Sequence, residues 1–84
     1  MFLHVTHVFY LKDYQLRLEF NDEKVKDLDL SDELHGEIFE PLKDIEFFKT
    51  VYVNLDTGTI EWSNGADFAP EFLYDIGQEV RKSA

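Results

Sequence analysis

The histidines are the first side chains of this sequence that could do chemistry, as metal ligands or as general bases. His4 and His7 lie three residues apart in a segment with strand character, so they would point to opposite faces of a sheet. Two such side chains cannot chelate one ion together. His35 lies in a different segment. The spacing therefore predicts surface histidines and no catalytic or metal-binding pair.

Carboxylates are abundant, and two close pairs could be interpreted as ligands for a hard cation. These pairs are Asp27 with Asp29 and Asp32 with Glu33. No stretch of the chain has the series of oxygen ligands that an EF-hand loop requires. We predict weak, opportunistic cation binding at most, and no dedicated metal site.

The serines and glycines indicate neither a nucleophile nor a phosphate-binding loop. Ser31, Ser63 and Ser83 stand in no context that supplies an oriented base, and the sequence has no G-x-S-x-G elbow. The four glycines are dispersed, whereas a loop that cradles phosphates needs several close together. We therefore expect no catalytic residue and no cofactor.

The size and composition predict one small domain over residues 1–84. The chain has no cysteine, and its eight Phe, four Tyr and one Trp can bury much surface for so short a protein. No apolar run reaches the roughly 18–20 residues that cross a bilayer, and the N-terminus does not resemble a signal peptide. We expect no membrane association and a cytoplasmic location.

The net charge of −10 comes from 18 acidic and 8 basic side chains. Direct nucleic-acid binding is disfavoured, because phosphate contacts require clustered Lys and Arg. A basic protein partner is favoured, because opposite charge accelerates encounter and complements an acidic surface. The simpler alternative is that the charge only keeps an aromatic-rich protein soluble. A weak homodimer is a further alternative.

The N-terminal third predicts three antiparallel strands, over residues 3–11, 15–20 and 24–30. Residues 15–20 alternate cleanly between polar and apolar, which is typical of a strand with one buried face. In residues 24–30, Val25 has one parity while Leu28 has the other, and this break predicts a bulge or an early strand end.

The middle of the chain predicts short helical turns that cover the sheet. Ser31 is expected to cap a first turn that Gly36 ends, and Pro41 suits a first helical position. Asp44 is expected to cap residues 45–49. The apolar residues that we expect to cover the sheet are Ile38, Phe39, Leu42, Phe47 and Phe48.

The remaining third predicts a β-hairpin and a C-terminal helix. Strands over residues 50–55 and 59–62 flank a turn in which Gly58 takes a positive φ. Pro70 suits the first position of the helix, and Asp67 is expected to bond its free N–H groups. The apolar stripe of this helix and its two C-terminal cations are Phe72, Leu73, Ile76, Val80, Arg81 and Lys82. The predicted fold is α+β, with an antiparallel sheet of about five strands packed against this helix.

Residues 62–74 combine a turn signal, a helix start and four aromatic rings. Asn64-Gly65 is a strong turn dipeptide, and the side chains of Asn64 and Asp67 can bond nearby backbone N–H groups. The structural interpretation is a strand-to-helix corner with Trp62 in the core. The functional alternative is an exposed aromatic patch of Trp62, Tyr74 and Tyr10 that binds a protein partner.

From about residue 14 to 74 the sequence resembles the small bacterial domain-of-unknown-function family numbered 2442. The resemblance rests on Leu16-Arg17-Leu18-Glu19-Phe20, on Phe39-Glu40-Pro41-Leu42-Lys43-Asp44 leading to Phe47, on Asn64-Gly65-Ala66-Asp67, and on Pro70-Glu71-x-Leu73-Tyr74. It implies a compact antiparallel α+β domain and carries over no catalytic residue.

The resemblance also implies two functional settings. Some relatives carry an added helix-turn-helix domain, and small stand-alone members resemble partners in toxin–antitoxin gene pairs. Eighty-four residues leave no room for a DNA-binding domain, so we expect no direct DNA regulation. The sequence thus predicts a non-enzymatic protein-interaction module, with a small-molecule-sensing domain as the alternative and an enzyme as the third hypothesis.

Overall fold

The computed structural model describes residues 2–80 and confirms an α+β fold. In chain order the elements are β1 (Val5–Lys12), β2 (Gln15–Phe20), β3 (Val25–Asp29), 3₁₀ segments at Ser31–Glu33 and Glu37–Lys43, α1 (Ile45–Phe48), β4 (Tyr52–Asn54), β5 (Thr59–Glu61), α2 (Pro70–Ile76) and β6 (Gln78–Glu79). The predicted meander and hairpin are both present. The hairpin turn contains Gly58 at φ +74°, as its position predicted.

The strands form two antiparallel sheets. The order in the larger sheet is β1-β2-β3-β6, and β4 pairs with β5 in a separate two-stranded sheet. The hairpin therefore does not extend the meander. Instead Val5 N–H donates to Gly58 O at 2.8 Å, which fixes the turn of the hairpin against the start of β1.

The prediction of a bulge within residues 24–30 is wrong. The pairing of β2 with β3 runs without a shift from Gln15–Asp29 to Glu19–Val25. Val25 lies opposite Glu19 on the outer face of the sheet, whereas Leu28 lies opposite the buried Leu16 on the core face. The two residues therefore differ in parity without any bulge between them. The irregularities of the sheet occur in β1 instead, after Val5 and after Tyr10.

The first 3₁₀ turn does not use the cap that the sequence predicted. Ser31 is its first residue and makes no capping bond. Its own N–H donates to the carboxylate of Asp29 at 2.8 Å. Gly36 does not end this turn, because the turn already ends before Leu34, and Gly36 precedes the next 3₁₀ helix at φ +94°.

The second 3₁₀ helix and α1 give one correction and one confirmation. Pro41 lies inside the helix Glu37–Lys43 and not at its first position. Its missing N–H costs little there, because a short 3₁₀ segment has few internal bonds to lose. Asp44 caps α1 as predicted, since its carboxylate accepts the N–H of Glu46 at 3.0 Å.

Four of the five residues that we expected to cover the sheet pack onto the core. Leu42 and Phe48 are fully buried, and Phe39 and Phe47 are partly buried against the core. Ile38 is the exception, because 46% of its surface is exposed. An exposed isoleucine in this position is one of the few large apolar side chains on the surface.

The C-terminal helix begins as predicted but ends early. Pro70 is its first residue, and the helix stops at Ile76 because Gly77 adopts an extended conformation, with φ −72° and ψ 147°. Val80 therefore does not belong to the helical stripe. Residues 78–79 turn back to pair with β3 as β6, a strand that the sequence did not predict. The predicted contact of Arg81 and Lys82 with the helix dipole lies outside the described residues.

The core runs between the inner face of the larger sheet, the hairpin and the helices. Its buried members are Val5, Leu16, Leu18, Phe20, Leu28, Leu30, Leu34, Leu42, Phe48, Ile60, Trp62, Ala66 and Leu73. Trp62 is the largest of them and is completely buried. Its indole N–H donates to Phe48 O at 2.8 Å, so the one polar atom of its side chain is satisfied.

Trp62→Phe should lower the free energy of unfolding by about 2–4 kcal/mol. The substitution removes part of a fully buried ring and the shorter of two hydrogen bonds to the carbonyl of Phe48, which keeps the N–H of Val51 at 3.3 Å. Urea denaturation measures the change, with the half-exposed Phe9→Leu as a control. A loss below about 1 kcal/mol would contradict the packing described for Trp62.

Candidate functional site

Residues 62–66, which we call the Trp62 loop, form a closed turn directly after β5. Trp62 N–H donates to Ala66 O and Gly65 N–H donates to Trp62 O, both at 2.9 Å. Gly65 has φ +91°, a conformation that a side chain would strain. The loop is therefore fixed by its own backbone bonds, and its geometry depends on glycine at position 65.

Trp62 anchors this loop in the core and is not part of an exposed aromatic patch. Its ring centroid lies 5.6 Å from that of Phe48 and 6.2 Å from that of Phe68. Because the side chain is fully buried, the exposed patch proposed for Trp62, Tyr74 and Tyr10 is wrong. The alternation of β5, which places Ile60 and Trp62 on the core face, is the physical reason.

The two tyrosines of the predicted patch lie at opposite ends of β2. Tyr10 pairs with Leu16 near the start of that strand, and its hydroxyl donates to Asp13 O at 3.0 Å. Tyr74 packs against Phe20 at the end of the strand, with 5.0 Å between the ring centroids. Four residues of strand separate these positions by about 13 Å, so the tyrosines form no common surface.

Tyr74 instead belongs to a small polar cluster with Asp22 and Lys26. The hydroxyl of Tyr74 donates to the carboxylate of Asp22 at 2.7 Å. This bond lowers the pKa of Asp22 and raises the pKa of Tyr74. The ammonium of Lys26 lies 3.6 Å from the centre of the Tyr74 ring and donates to Tyr74 O at 2.7 Å.

Asn64 links the Trp62 loop to the 3₁₀ helix Glu37–Lys43. Its amide nitrogen donates to Ile38 O at 2.9 Å, and its amide oxygen accepts the N–H of Ala66 at 3.1 Å. The prediction that the Asn64 side chain fixes the loop is confirmed, and the bond to Ile38 is new. The hydroxyl of Tyr14 donates to Lys43 O, so the helix is held at both ends.

Asp67 does not play the predicted capping role. Its backbone forms an isolated bridge with Glu61, and its side chain is exposed. The N-terminus of α2, preceded by Ala69, has no side-chain cap. The helix starts at Pro70, three residues after Asp67, and within residues 2–80 the Asp67 carboxylate makes no hydrogen bond.

The segment that these contacts hold is the most acidic part of the chain. Residues 27–46, which we call the acidic segment, contain eight acidic side chains and one basic side chain, Lys43. Sequence reasoning missed this concentration because it considered only the total charge. A count of charge in a sliding window would have found it.

Most carboxylates of the acidic segment already have a partner, but three do not. Asp27 forms a two-point bond with Arg17 at 2.7 and 2.9 Å. Glu40 pairs with Lys43, and Glu46 pairs with Lys49. The carboxylates without an ion pair or hydrogen bond, as far as residues 2–80 show, are those of Asp32, Glu33 and Glu37. We call these three side chains the unpaired acids.

Within residues 2–80 the structure offers little that could hold a cofactor or a metal. No three His, Asp or Glu side chains of this part of the chain converge, and Thr59 is its one buried polar residue. A depression of about 350 Å³ lies between β3 and the end of α2, and its lining combines Leu28 and Ile76 with four polar side chains. Small-molecule sites are lined mainly by apolar groups, so the sensing hypothesis stays a prediction.

A second depression, of about 500 Å³, lies on the outer face of the larger sheet. It is lined by residues from β1, β2 and the turn before β3, including His7 and Glu19. His7 Nδ1 lies 3.4 Å from the Glu19 carboxylate, and the His7 side chain is the more exposed of the two. None of the helices in the described part of the chain has the length and apolar character needed to cross a membrane.

Comparison with known proteins identifies a family but no characterised relative. Residues 5–79 match the family DUF2442, described as a protein of unknown function. The curated proteins contain no match, and neither do the solved structures. The match covers most of the chain, including the Trp62 loop and the acidic segment.

Asn64→Ala should release the acidic segment from the Trp62 loop and lower stability by about 1 kcal/mol. The substitution removes the bond to Ile38 O, so backbone amides of Glu37–Lys43 should exchange faster with solvent. Hydrogen exchange followed by NMR measures this, with the exposed neighbour Ser63→Ala as the matched control. Equal exchange in both variants would show that Asn64 does not hold the segment.

Tyr74→Phe should raise the pKa of Asp22 toward its ordinary value of 3.8, because the hydroxyl that stabilises the carboxylate is lost. A lowered pKa stabilises the fold above the unfolded-state pKa, and this stabilisation disappears as the pH falls through the folded-state value. The variant should therefore lose less stability on acidification. An NMR titration of the carboxyl carbon of Asp22 measures the shift.

Tyr52→Phe is the control for this titration. The Tyr52 hydroxyl donates to Glu61 at 2.7 Å and lowers the pKa of that carboxyl. The control should therefore raise the pKa of Glu61 and leave the pKa of Asp22 unchanged. An Asp22 pKa that is the same in wild type and Tyr74→Phe would show that the bond does not form in solution.

Proposed function

Since the chain belongs to DUF2442, a family of proteins of unknown function, we propose a function from its surface: a non-enzymatic domain that binds a basic protein partner. The observation that carries the proposal is the acidic segment, where eight acidic side chains stand against one basic side chain. Its unpaired acids, Asp32, Glu33 and Glu37, make no ion pair with any residue from 2 to 80 and can meet cations of a partner.

The position of Ile38 supports a protein as the ligand. Ile38 follows Glu37 directly and is 46% exposed, so an apolar side chain stands beside an unpaired carboxylate. Interfaces combine a small apolar centre with charged groups around it. The carbonyl of Ile38 is fixed by Asn64, so this arrangement exists before a partner binds and needs little ordering.

The partner is expected to be a small protein rich in Lys and Arg. Opposite charges steer the encounter and speed association, whereas the apolar contact at Ile38 slows dissociation. An antitoxin-like role, in which the chain binds a small basic toxin, is the specific form of this proposal that its resemblance to stand-alone family members supports.

Neutralising the unpaired acids should weaken partner binding by at least about tenfold, which corresponds to about 1.4 kcal/mol. The variant is Asp32→Asn, Glu33→Gln and Glu37→Gln, and its matched control is Asp56→Asn, Glu71→Gln and Asp75→Asn. Both sets replace three exposed or half-exposed carboxylates and change the net charge equally. The measurement is affinity capture of partners from the native host, followed by titration calorimetry with the captured protein.

The salt dependence separates a specific surface from general charge. Binding of the wild type should weaken as ionic strength rises, because screening reduces the attraction between exposed charges. Equal loss in both triple variants would show that only the total charge matters. Recovery of the chain without any basic protein, at every ionic strength, would contradict the proposal.

A further inference from the structure

β1 is an outer strand of the larger sheet, and the pairing of β2 determines which backbone groups of β1 point away from that sheet. Phe20 N–H donates to Lys24 O at 2.9 Å, directly before β3 begins. The even-numbered residues of β2 therefore direct their backbone hydrogen bonds toward β3. The odd-numbered residues, such as Arg17 opposite Phe9, therefore bond toward β1. It follows that Val8 and Tyr10 direct their backbone N–H and C=O groups outward.

The outward backbone groups of Val8 and Tyr10 have no backbone partner within residues 2–80. In this part of the chain, Val5 is the one residue of β1 that bonds beyond the sheet, through its N–H to Gly58 O. Both strands of the hairpin also lie close to β1, but within residues 2–80 they make no backbone hydrogen bond to Val8 or Tyr10. An edge strand with unpaired backbone groups is a template for another strand.

The side chains that β1 places beside these groups are mostly apolar, and none of them is a carboxylate. β1 contains neither Asp nor Glu, although the chain has a net charge of −10. Phe9 and Leu11 are 47% and 38% exposed on the outer face, and the ring of His7 stacks on that of Phe9 with 6.4 Å between the centroids. The surface here differs in character from the acidic segment.

From these observations we propose that β1 pairs with β1 of a second copy of this chain. A basic partner finds no carboxylate on this strand, whereas an identical strand brings one formal charge, Lys12, which lies at its end and away from Val8 and Tyr10. Antiparallel pairing of identical strands has two-fold symmetry and closes after two copies. The interaction is independent of the proposed binding of a basic partner, because it uses a different surface.

The unpaired groups specify the register of this dimer. Val8 lies opposite Tyr10 of the second copy, and Tyr10 lies opposite Val8 of the second copy. Each of these two pairs exchanges two backbone hydrogen bonds. Phe9 then faces Phe9 of the second copy at a position where the Cα atoms are about 4.5 Å apart. Aromatic pairs at such positions stabilise a sheet.

The short pairing and the charge of both copies predict a weak dimer that strengthens with salt. Each copy carries a net charge of −10, so the two repel each other until ions screen them. Binding of a basic partner has the opposite salt dependence. The two proposals can therefore fail separately. Salt should strengthen the dimer and should weaken binding of the basic partner.

Sedimentation equilibrium from about 10 μM to about 1 mM protein tests the dimer. The variants are Phe9→Glu and, as a control, Ile38→Glu, whose side chain is equally exposed and receives the same charge. Wild type and Ile38→Glu should dimerise alike. Phe9→Glu should dimerise at least about tenfold more weakly, because it places two carboxylates directly opposite each other.

Hydrogen exchange at increasing protein concentration locates the contact. The amides of Val8 and Tyr10 should become protected as the dimer forms, whereas the amide of Phe9 already bonds to β2 and should not change. A monomer over the whole concentration range would overturn the proposal. Equal dimerisation of the two variants, or unchanged exchange at Val8 and Tyr10, would overturn it as well.

Discussion

The burial of Trp62 is the constraint on which the rest of this small structure depends. Its ring contacts Phe48 from α1 and Phe68 from the segment before α2, so one side chain joins the hairpin to both helical regions. Its indole N–H must also find an acceptor, and Phe48 O supplies it. This bond determines where α1 lies relative to β5. In a chain of 84 residues few other side chains could join so many elements.

The acidic segment is stable against its own charge because neutral hydrogen bonds hold it. Eight carboxylates in twenty residues repel one another, and an isolated peptide of this composition would be extended. Asn64 and Tyr14 bind the ends of the helix Glu37–Lys43 from other parts of the chain. Because these bonds involve uncharged groups, they persist at ionic strengths that weaken ion pairs. The segment can therefore present its charge outward on a fixed backbone.

Features that depend on adjacent residues could be predicted from the sequence. The cap at Asp44, the helix start at Pro70 and the turn at Gly58 each follow from the local chemistry of one residue. Features that depend on distant residues could not. The backbone at Ile38, whose side chain is exposed, is fixed by Asn64, which lies 26 residues away in the sequence. Similarly, β6 exists only because β3 offers it an edge, and two residues carry no strand pattern of their own.

The candidate site shows the same division between local and distant effects. The sequence indicated that Trp62, Asn64 and Gly65 form an ordered corner, and this is confirmed. It could not indicate that the corner supports an acidic helix, since the bond from Asn64 crosses between segments. The exposed aromatic patch failed because the number of aromatic residues does not say which of them the core requires.

Lys26 lies between the Tyr74 ring and the last turn of α2, and this placement affects its reactivity. Its ammonium group donates to Tyr74 O and rests on the aromatic face, so both contacts hold the amine against the helix and limit its access to reagents. Acylating reagents should therefore modify exposed lysines such as Lys12 first, because Lys26 is half-buried. Acetylation at Lys26 would remove the charge from both contacts at once and would leave the pairing of β6 with β3 to hold the end of α2 to the sheet.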